Sequence, residues 1–169
     1  TGIGKTYAYL VAGTVYSRFR AACGLERKPI LVSTSSIALQ TAARDEYLPL
    51  LSDVLTEDGM IAQPLQAVIR KGKSHYVCDE RLERRLGQLD LQRKNWKAGA
   101  ALLSLWGQLD MDETAHLSGY DRERVCVPRI CECQREDCRY RAFLGDCDSG
   151  QYLFQICNHN LLLADAIHR

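Results

Sequence analysis

Two groups of residues in this chain have the types and spacing that chemistry needs. The first opens it: Thr1-Gly2-Ile3-Gly4-Lys5-Thr6. Gly4-Lys5-Thr6 fits the last three positions of the phosphate loop G-x-x-x-x-G-K-[ST], whose backbone N–H groups cradle phosphates. On this reading the N–H groups of Gly2, Ile3 and Gly4 wrap a β-phosphate. Lys5 neutralises charge on the β/γ oxygens and the Thr6 hydroxyl ligates Mg²⁺, so Lys5 and Thr6 carry the chemistry on bound ATP. Glycine is needed where backbone must approach a phosphate with no Cβ in the way. The pattern's first glycine would fall upstream of Thr1, so the chain is expected to be a piece of a longer protein, inactive by itself.

The second group is sulfur. Of eight cysteines, six fall between positions 126 and 157. Their centre reads Cys126-x4-Cys131-x-Cys133-x4-Cys138, and Cys78 stands 48 residues before Cys126. Zinc takes four thiolates, usually from paired short-spaced knuckles, whereas an iron–sulfur cluster tolerates less regular spacing. The x4 gaps and the lone Cys78 favour iron–sulfur. The surrounding stretch DRERVCVPRICECQREDCRYR is too polar for buried core thiols, although free cysteine is often buried. Cys23 and Cys157, in apolar settings, are expected in the core. Cys126 fits packing as well as ligation, and Cys147 fits a helix end or a spare thiol. No signal-peptide pattern is present, so the thiols are expected to be reduced and metal-binding.

The elements that must position these groups follow from periodicity. A helix is expected to start near Lys5. PILVST (29–34) reads as a buried strand, and Ser35 or Ser36 can cap a helix that follows until Pro49 interrupts it. LQAVIR (65–70) reads as a second strand. Over 79–118, Leu82, Leu86 and Leu89, then Trp96, Ala100 and Leu103, recur at helical spacing and predict two amphipathic helices. Residues 119–150 are short of apolar side chains and are expected to need a staple other than a hydrophobic core. YLFQIC (152–157) reads as a third strand, with Asn158-His159-Asn160 at its carboxyl end, where His159 is expected to be structural.

Composition narrows the class. Lys+Arg number 22 against 21 Asp+Glu, a formal charge of +1, which excludes a polybasic tail as the source of function. At 46% hydrophobic and 25% charged residues the chain is too apolar to be disordered. No run approaches the ~18 apolar residues of a membrane span. A cytoplasmic location and no membrane partner are expected.

In order, TGIGKT (1–6), LVSTSSIALQ (31–40), KGKSHYVC (71–78), the 126–138 cysteines and FQICNHNLLLADA (154–166) resemble the iron–sulfur superfamily 2 DNA helicases of the DinG/XPD kind, and the DinG-like ones more closely. The resemblance implies an α/β fold: a partial RecA-like P-loop NTPase domain interrupted by an α-helical, cysteine-rich iron–sulfur domain. The implied division is 1–77 for the first part of RecA-like domain 1, 78–147 for the insert and 148–169 for the return. It further implies a 4Fe–4S cluster with Cys78 and Cys138 as outer ligands and two of Cys126, Cys131 and Cys133 between them. Thr34, Ser35 and Gln40 would lie in a segment gripping single-stranded DNA, and Lys71, Lys73 and His75 beside its path. No Asp-Glu-Ala-His motif occurs in the sequence, so residues for Mg²⁺–water chemistry lie elsewhere. The activity implied is ATP-driven, 5′→3′ movement on single-stranded DNA and unwinding at duplex junctions, by a monomer. A zinc-stabilised nucleic-acid- or protein-binding module without ATPase activity is the alternative.

Overall fold

The structure, a computed structural model, describes residues 3–89 and 96–168. It divides into two compact units, one of residues 1–70 and 146–169 and one of residues 71–145.

The first unit is built on a parallel sheet. Helix α1 (Ile3–Ala22) runs for 20 residues. It stops where Gly24 takes φ +68°. There Leu25 N–H donates to the Arg20 carbonyl at 2.9 Å and Gly24 N–H to that of Ala21 at 3.0 Å. This closure satisfies the last carbonyls and suits glycine, which has no Cβ to oppose a left-handed turn. Strand β1 (Ile30–Ser33) follows, then α2 (Ile37–Ala42), capped by Ser36, whose side chain accepts from Leu39 N–H.

Pro49 does not interrupt the helix. A π-helical turn (Ala43–Tyr47) leads directly into α3 (Leu48–Glu57), with Pro49 in its first turn. Proline lacks a donor and collides with the carbonyl four residues back. A widened π turn immediately before it relieves both problems, so the chain continues helically.

Strands β2 (Ala67–Arg70) and β3 (Phe154–Cys157) complete the sheet, and α8 (His159–His168) leaves it. The order is β1-β3-β2, with Ile30 and Ala67 both opposite Phe154 and all pairs parallel. All four residues of central β3 are buried, as a parallel strand covered on both faces must be. Leu10, Val32, Leu48, Ile69, Phe154 and Ile156 form the core.

Gly13 sets how closely α1 approaches the sheet. A Cβ there would stand 3.0 Å from Phe154 Cε1 and 3.2 Å from Ile30 Cγ2. Ile30 and Phe154 are the first residues of their strands. Farther along α1, Ser17 and Ala21 line a cavity of about 570 Å³ together with Lys28, Gln66 and Leu153, which precede the strands. Helix α1 therefore runs against the strand direction, and its first turn points toward their carboxyl ends.

The second unit begins with a 3₁₀ turn (Lys73–His75) and continues through α4 (Asp79–Gly87), α5 (Trp96–Ser104), a 3₁₀ turn (Met111–Glu113), α6 (Gly119–Val125) and α7 (Arg139–Asp148), the last residues of α7 belonging to the first unit. Val77, Leu82, Leu102, Leu105, Met111 and Val125 form one buried cluster. Tyr76, Cys78 and Val127 form another, against Tyr140 and Phe143.

Three expectations need correction. The stretch 119–150 is not without apolar anchors: Val125 and Val127 are buried and α6 and α7 form within it. The inward face of α5 carries Ala101 and Leu102, with Leu105 buried in the turn after it, while Ala100 and Leu103 are exposed. Adjacent Leu102 and Leu103 leave the phase of the pattern open, and packing on Leu82 and Met111 decides it. Cys23 is exposed, and only Cys157 of the two expected core thiols is buried, because Cys23 sits at the end of α1 beyond the sheet.

Candidate functional site

In the first unit, Gly4, Lys5 and Thr6 occupy the opening turn of α1, with Lys5 exposed and Thr6 buried. Among the described residues a Cβ on Gly4 would meet nothing within 4 Å, so no contact with them demands glycine there. Ile3 is the first helical residue, and Gly2 lies outside the described residues. A helix start presents unpaired N–H groups and a positive dipole end, and this one faces the carboxyl ends of the strands, where open α/β sheets bind ligands.

The same edge carries the segment after β1. The Ser36 N–H donates to Thr34 Oγ1 at 3.3 Å, and Ser35 is exposed. Gln40 is buried, and its Nε2 donates to the Thr34 carbonyl at 3.0 Å. Gln40 thus shapes the loop rather than facing solvent, leaving Thr34 and Ser35 at the surface. His159 Nδ1 lies 2.6 Å from Ser33 Oγ, so the start of α8 is tied to the end of β1. Asn158 Oδ1 accepts from Leu161 N–H at 2.7 Å, capping α8. These contacts fit the structural role expected of His159.

In the second unit, Lys71 Nζ meets Asp110 at 2.5 Å and Asp112 at 2.8 Å. Burial acts to lower the Lys71 pKa, and the two carboxylates more than reverse this, raising it. Asp112 also takes Arg122 at 2.6 Å and His75 at 2.9 Å. Burial acts to raise its carboxyl, and hydrogen bonds from Lys71, Arg122 and His75 overcome that and hold it well below the usual range. Lys73 Nζ has a neutral partner, the Arg129 carbonyl, at 3.1 Å.

The thiols fall into distinct settings. Residues 76–78 are stitched on both sides: Val77 N–H donates to the Leu109 carbonyl at 3.0 Å, Cys78 N–H to Val125 at 2.7 Å, and Val127 N–H to Tyr76 at 2.8 Å. Cys78 is buried, Cys131 exposed, and Cys126, Cys133 and Cys138 half-buried, all free. Burial pushes the Cys78 thiol up, N–H groups of Arg81 and Glu80 pull against this, and neighbouring Cys133 and Cys131 add to the rise. Cys126 Sγ donates to the Glu123 carbonyl at 3.4 Å, at the end of α6. Cys147 and Cys157 are buried thiols pushed up by desolvation, which makes them poor nucleophiles. Among the described residues, no three or more His, Cys, Asp or Glu side chains converge tightly enough to hold a metal ion. The unit offers four free thiols on the polar segment, Cys126, Cys131, Cys133 and Cys138, and a fifth, Cys78, buried outside it.

The residues flanking the outer thiols were not among the expected site residues. Asp79 and Arg139, one position after Cys78 and Cys138, form an ion pair at 2.5 Å. Arg141 donates to the carbonyls of Cys133 and Arg135, and Arg135 pairs with Glu83 at 2.7 Å. Opposite charges directly after the two outer cysteines were the available signal.

No protein-family model matches the chain. Curated proteins do. A Haemophilus influenzae protein named ATP-dependent DNA helicase YoaA is 26% identical over 181 residues, taking in 98% of this chain and 25% of that protein. An Escherichia coli protein named ATP-dependent DNA helicase YoaA is 40% identical over 83 residues, 49% of this chain and 10% of its own length. A Bacillus subtilis protein named 3′-5′ exonuclease DinG is 33% identical over 89 residues, 53% of this chain and 8% of that protein. The matched stretches therefore amount to a quarter or less of these relatives. Among the described residues no helix is long and apolar enough to cross a membrane.

Proposed function

Since the chain is DinG-like, a relative of the DinG and YoaA helicases, we propose that it is part of an ATP-dependent DNA helicase, contributing the phosphate-binding end of a RecA-like domain and an iron–sulfur insert. One observation carries this reading: the opening turn of α1, with Gly4, Lys5 and Thr6, shares the carboxyl edge of the sheet with the Thr34–Ser36 loop and the Ser33–His159 contact.

In this reading the N–H groups of Ile3 and Gly4 at the start of α1, together with that of Gly2 before them in sequence, receive the phosphates. Lys5 neutralises the β/γ oxygens and Thr6 supplies a Mg²⁺ ligand. Thr34 and Ser35 contact DNA phosphates, and Gln40 holds their loop in shape. A change at the phosphates reaches the DNA loop through a short path, because both rest on one sheet edge. Lys73 adds an electrostatic contact to the strand, and Lys71 serves the insert's own ion network. Walker B chemistry comes from elsewhere in the longer protein and completes the site there. Movement is 5′→3′ on single-stranded DNA, from a cytoplasmic monomer acting at duplex junctions.

The second unit would hold a 4Fe–4S cluster through Cys78 and Cys138, with two of Cys126, Cys131 and Cys133 between them. Such a cluster cross-links distant segments and so orders a polar loop. Anaerobically purified protein should be brown, absorb near ~400 nm and carry about four irons per chain. A colourless protein with one zinc would replace this reading by the zinc-stabilised module. Lys5→Ala in the full-length protein should cut DNA-stimulated ATP hydrolysis by about a hundredfold or more; an unchanged rate would defeat the assignment of the phosphate site.

A further inference from the structure

Resting on the proposal that the second unit carries a cluster, we infer that Asp79 and Arg139 form a positioning clip that sets Cys78 and Cys138 beside one another whether or not a cluster is bound. Each residue directly follows one of these thiols. The two thiols are 60 residues apart in sequence, and closing a loop of that length opposes assembly through chain entropy.

The clip is tightly made. Arg139 Nη2 and Nε reach Asp79 Oδ1 at 2.5 and 2.8 Å, and the Arg139 backbone N–H donates to Oδ2 at 3.2 Å. Asp79 is 5% exposed, so its carboxylate has exchanged water for this one partner. The remaining guanidinium nitrogen, Nη1, donates to the Leu105 and Trp106 carbonyls at 2.9 Å each, fastening the end of α5 as well. One side chain therefore binds the start of α4, the end of α5 and the start of α7. A lysine has no planar fork and could not make this set.

Energetics separate this from ordinary stabilisation. A buried ion pair recovers its desolvation cost only with good geometry, and apolar residues of like volume often do as well or better. What a charged fork adds is direction, since it fixes both partners in angle as well as distance. The thiol segment itself uses the same device: Arg141 holds the carbonyls of Cys133 and Arg135, and Arg135 bridges Asp137 at 2.9 Å and Glu83 at 2.7 Å. Guanidinium groups hold the backbone where apolar side chains are sparse.

The test uses full-length protein purified anaerobically, as wild type, Asp79→Asn, Arg139→Lys and the surface control Arg84→Ala. Loss of iron to a chelator is followed by absorbance, with limited proteolysis reporting the fold. Asp79→Asn and Arg139→Lys should lose iron at least about tenfold faster than wild type while the control does not, in keeping with residues that orient ligands. Equal rates in all four would overturn the clip. Should Asp79→Asn unfold the unit, Arg139→Lys, which keeps the charge and loses only the fork, decides. A second readout needs no metal: in metal-free protein with the other cysteines changed to Ser, a short bifunctional thiol reagent should cross-link Cys78 to Cys138 in wild type and much less in Arg139→Lys. Equal cross-linking overturns the clip, and a wild type without iron that still cross-links in a clip-dependent way overturns the cluster alone.

Discussion

Ser33 Oγ and His159 Nδ1 lie 2.6 Å apart although 126 residues separate them in sequence. The contact joins the end of edge strand β1 to the first residue of α8, across the carboxyl edge of the sheet. The Ser33 hydroxyl also bears on the buried Cys157 thiol, lowering a pKa that burial raises. Ser33→Ala leaves the imidazole without this partner and should cost about 1 kcal/mol of stability by chemical denaturation. In the full-length protein it should weaken DNA stimulation of ATP hydrolysis more than ATP binding. Equal effects on both would mean the contact only holds the fold together.

The approach of α1 to the sheet depends on Gly13 having no side chain. A Cβ added there would fall 3.0 Å from the Phe154 ring, and Phe154 is fully buried at the centre of the core. A larger residue must push α1 away or force Phe154 off its rotamer. Gly13→Leu should destabilise the first unit by roughly 1–3 kcal/mol, read as a shift in denaturation midpoint with an unchanged slope. Gly4→Ala, where no neighbour among the described residues stands within 4 Å of the added Cβ, should leave stability nearly unchanged and affect only nucleotide binding.

The contrast between these glycines marks what the sequence could disclose. Strands stood out because ILVS, AVIR and FQIC are short β-branched or apolar runs between breakers, and all three are where periodicity put them. The Ser36 cap was legible for the same local reason. Gly13 was not, since nothing local says that a helical glycine faces a ring on a strand far along the chain. Pro49 misled because the π turn that accommodates it has no composition of its own. The α5 face was ambiguous because Leu102 and Leu103 are adjacent, and only tertiary contacts separate them. At the candidate site the thiols were visible as a pattern, whereas Asp79–Arg139 and Arg141, which aim them, are ordinary charged residues until the fold brings them together.

Lys71 and Lys73 read alike in sequence and differ in the fold. Lys71 is matched by two carboxylates, Asp110 and Asp112, whereas Lys73 meets the neutral Arg129 carbonyl, which leaves its charge uncompensated among the described residues. Lys73→Ala should weaken single-stranded DNA binding by the full-length protein and reduce the slope of log affinity against log salt by about one ion's worth. Lys71→Ala should lower the stability of the second unit and leave that slope nearly unchanged. The opposite assignment of effects would place the DNA path on the Lys71 side.

Acid should act on the second unit through Asp112. Its carboxyl is held well below the usual range by Lys71, Arg122 and His75, against the upward push of burial. A carboxyl depressed in the fold binds its proton more readily when unfolded. Its stabilising contribution is therefore complete above the ordinary carboxyl range and drains away as pH falls toward the depressed value. Asp112→Asn removes this contribution and takes the carboxylate away from Arg122, while Lys71 keeps Asp110. Stability profiles of the metal-free chain between about pH 2 and 7 should then differ in shape: wild type falls steeply below about pH 4, and Asp112→Asn starts lower and falls less over the same interval. High salt should narrow the gap between the two only in part, because exposed ion pairs are screened more than half-buried ones. Parallel profiles would mean that other carboxylates set the acid limit and that the Lys71–Asp112–Arg122 contacts are energetically minor.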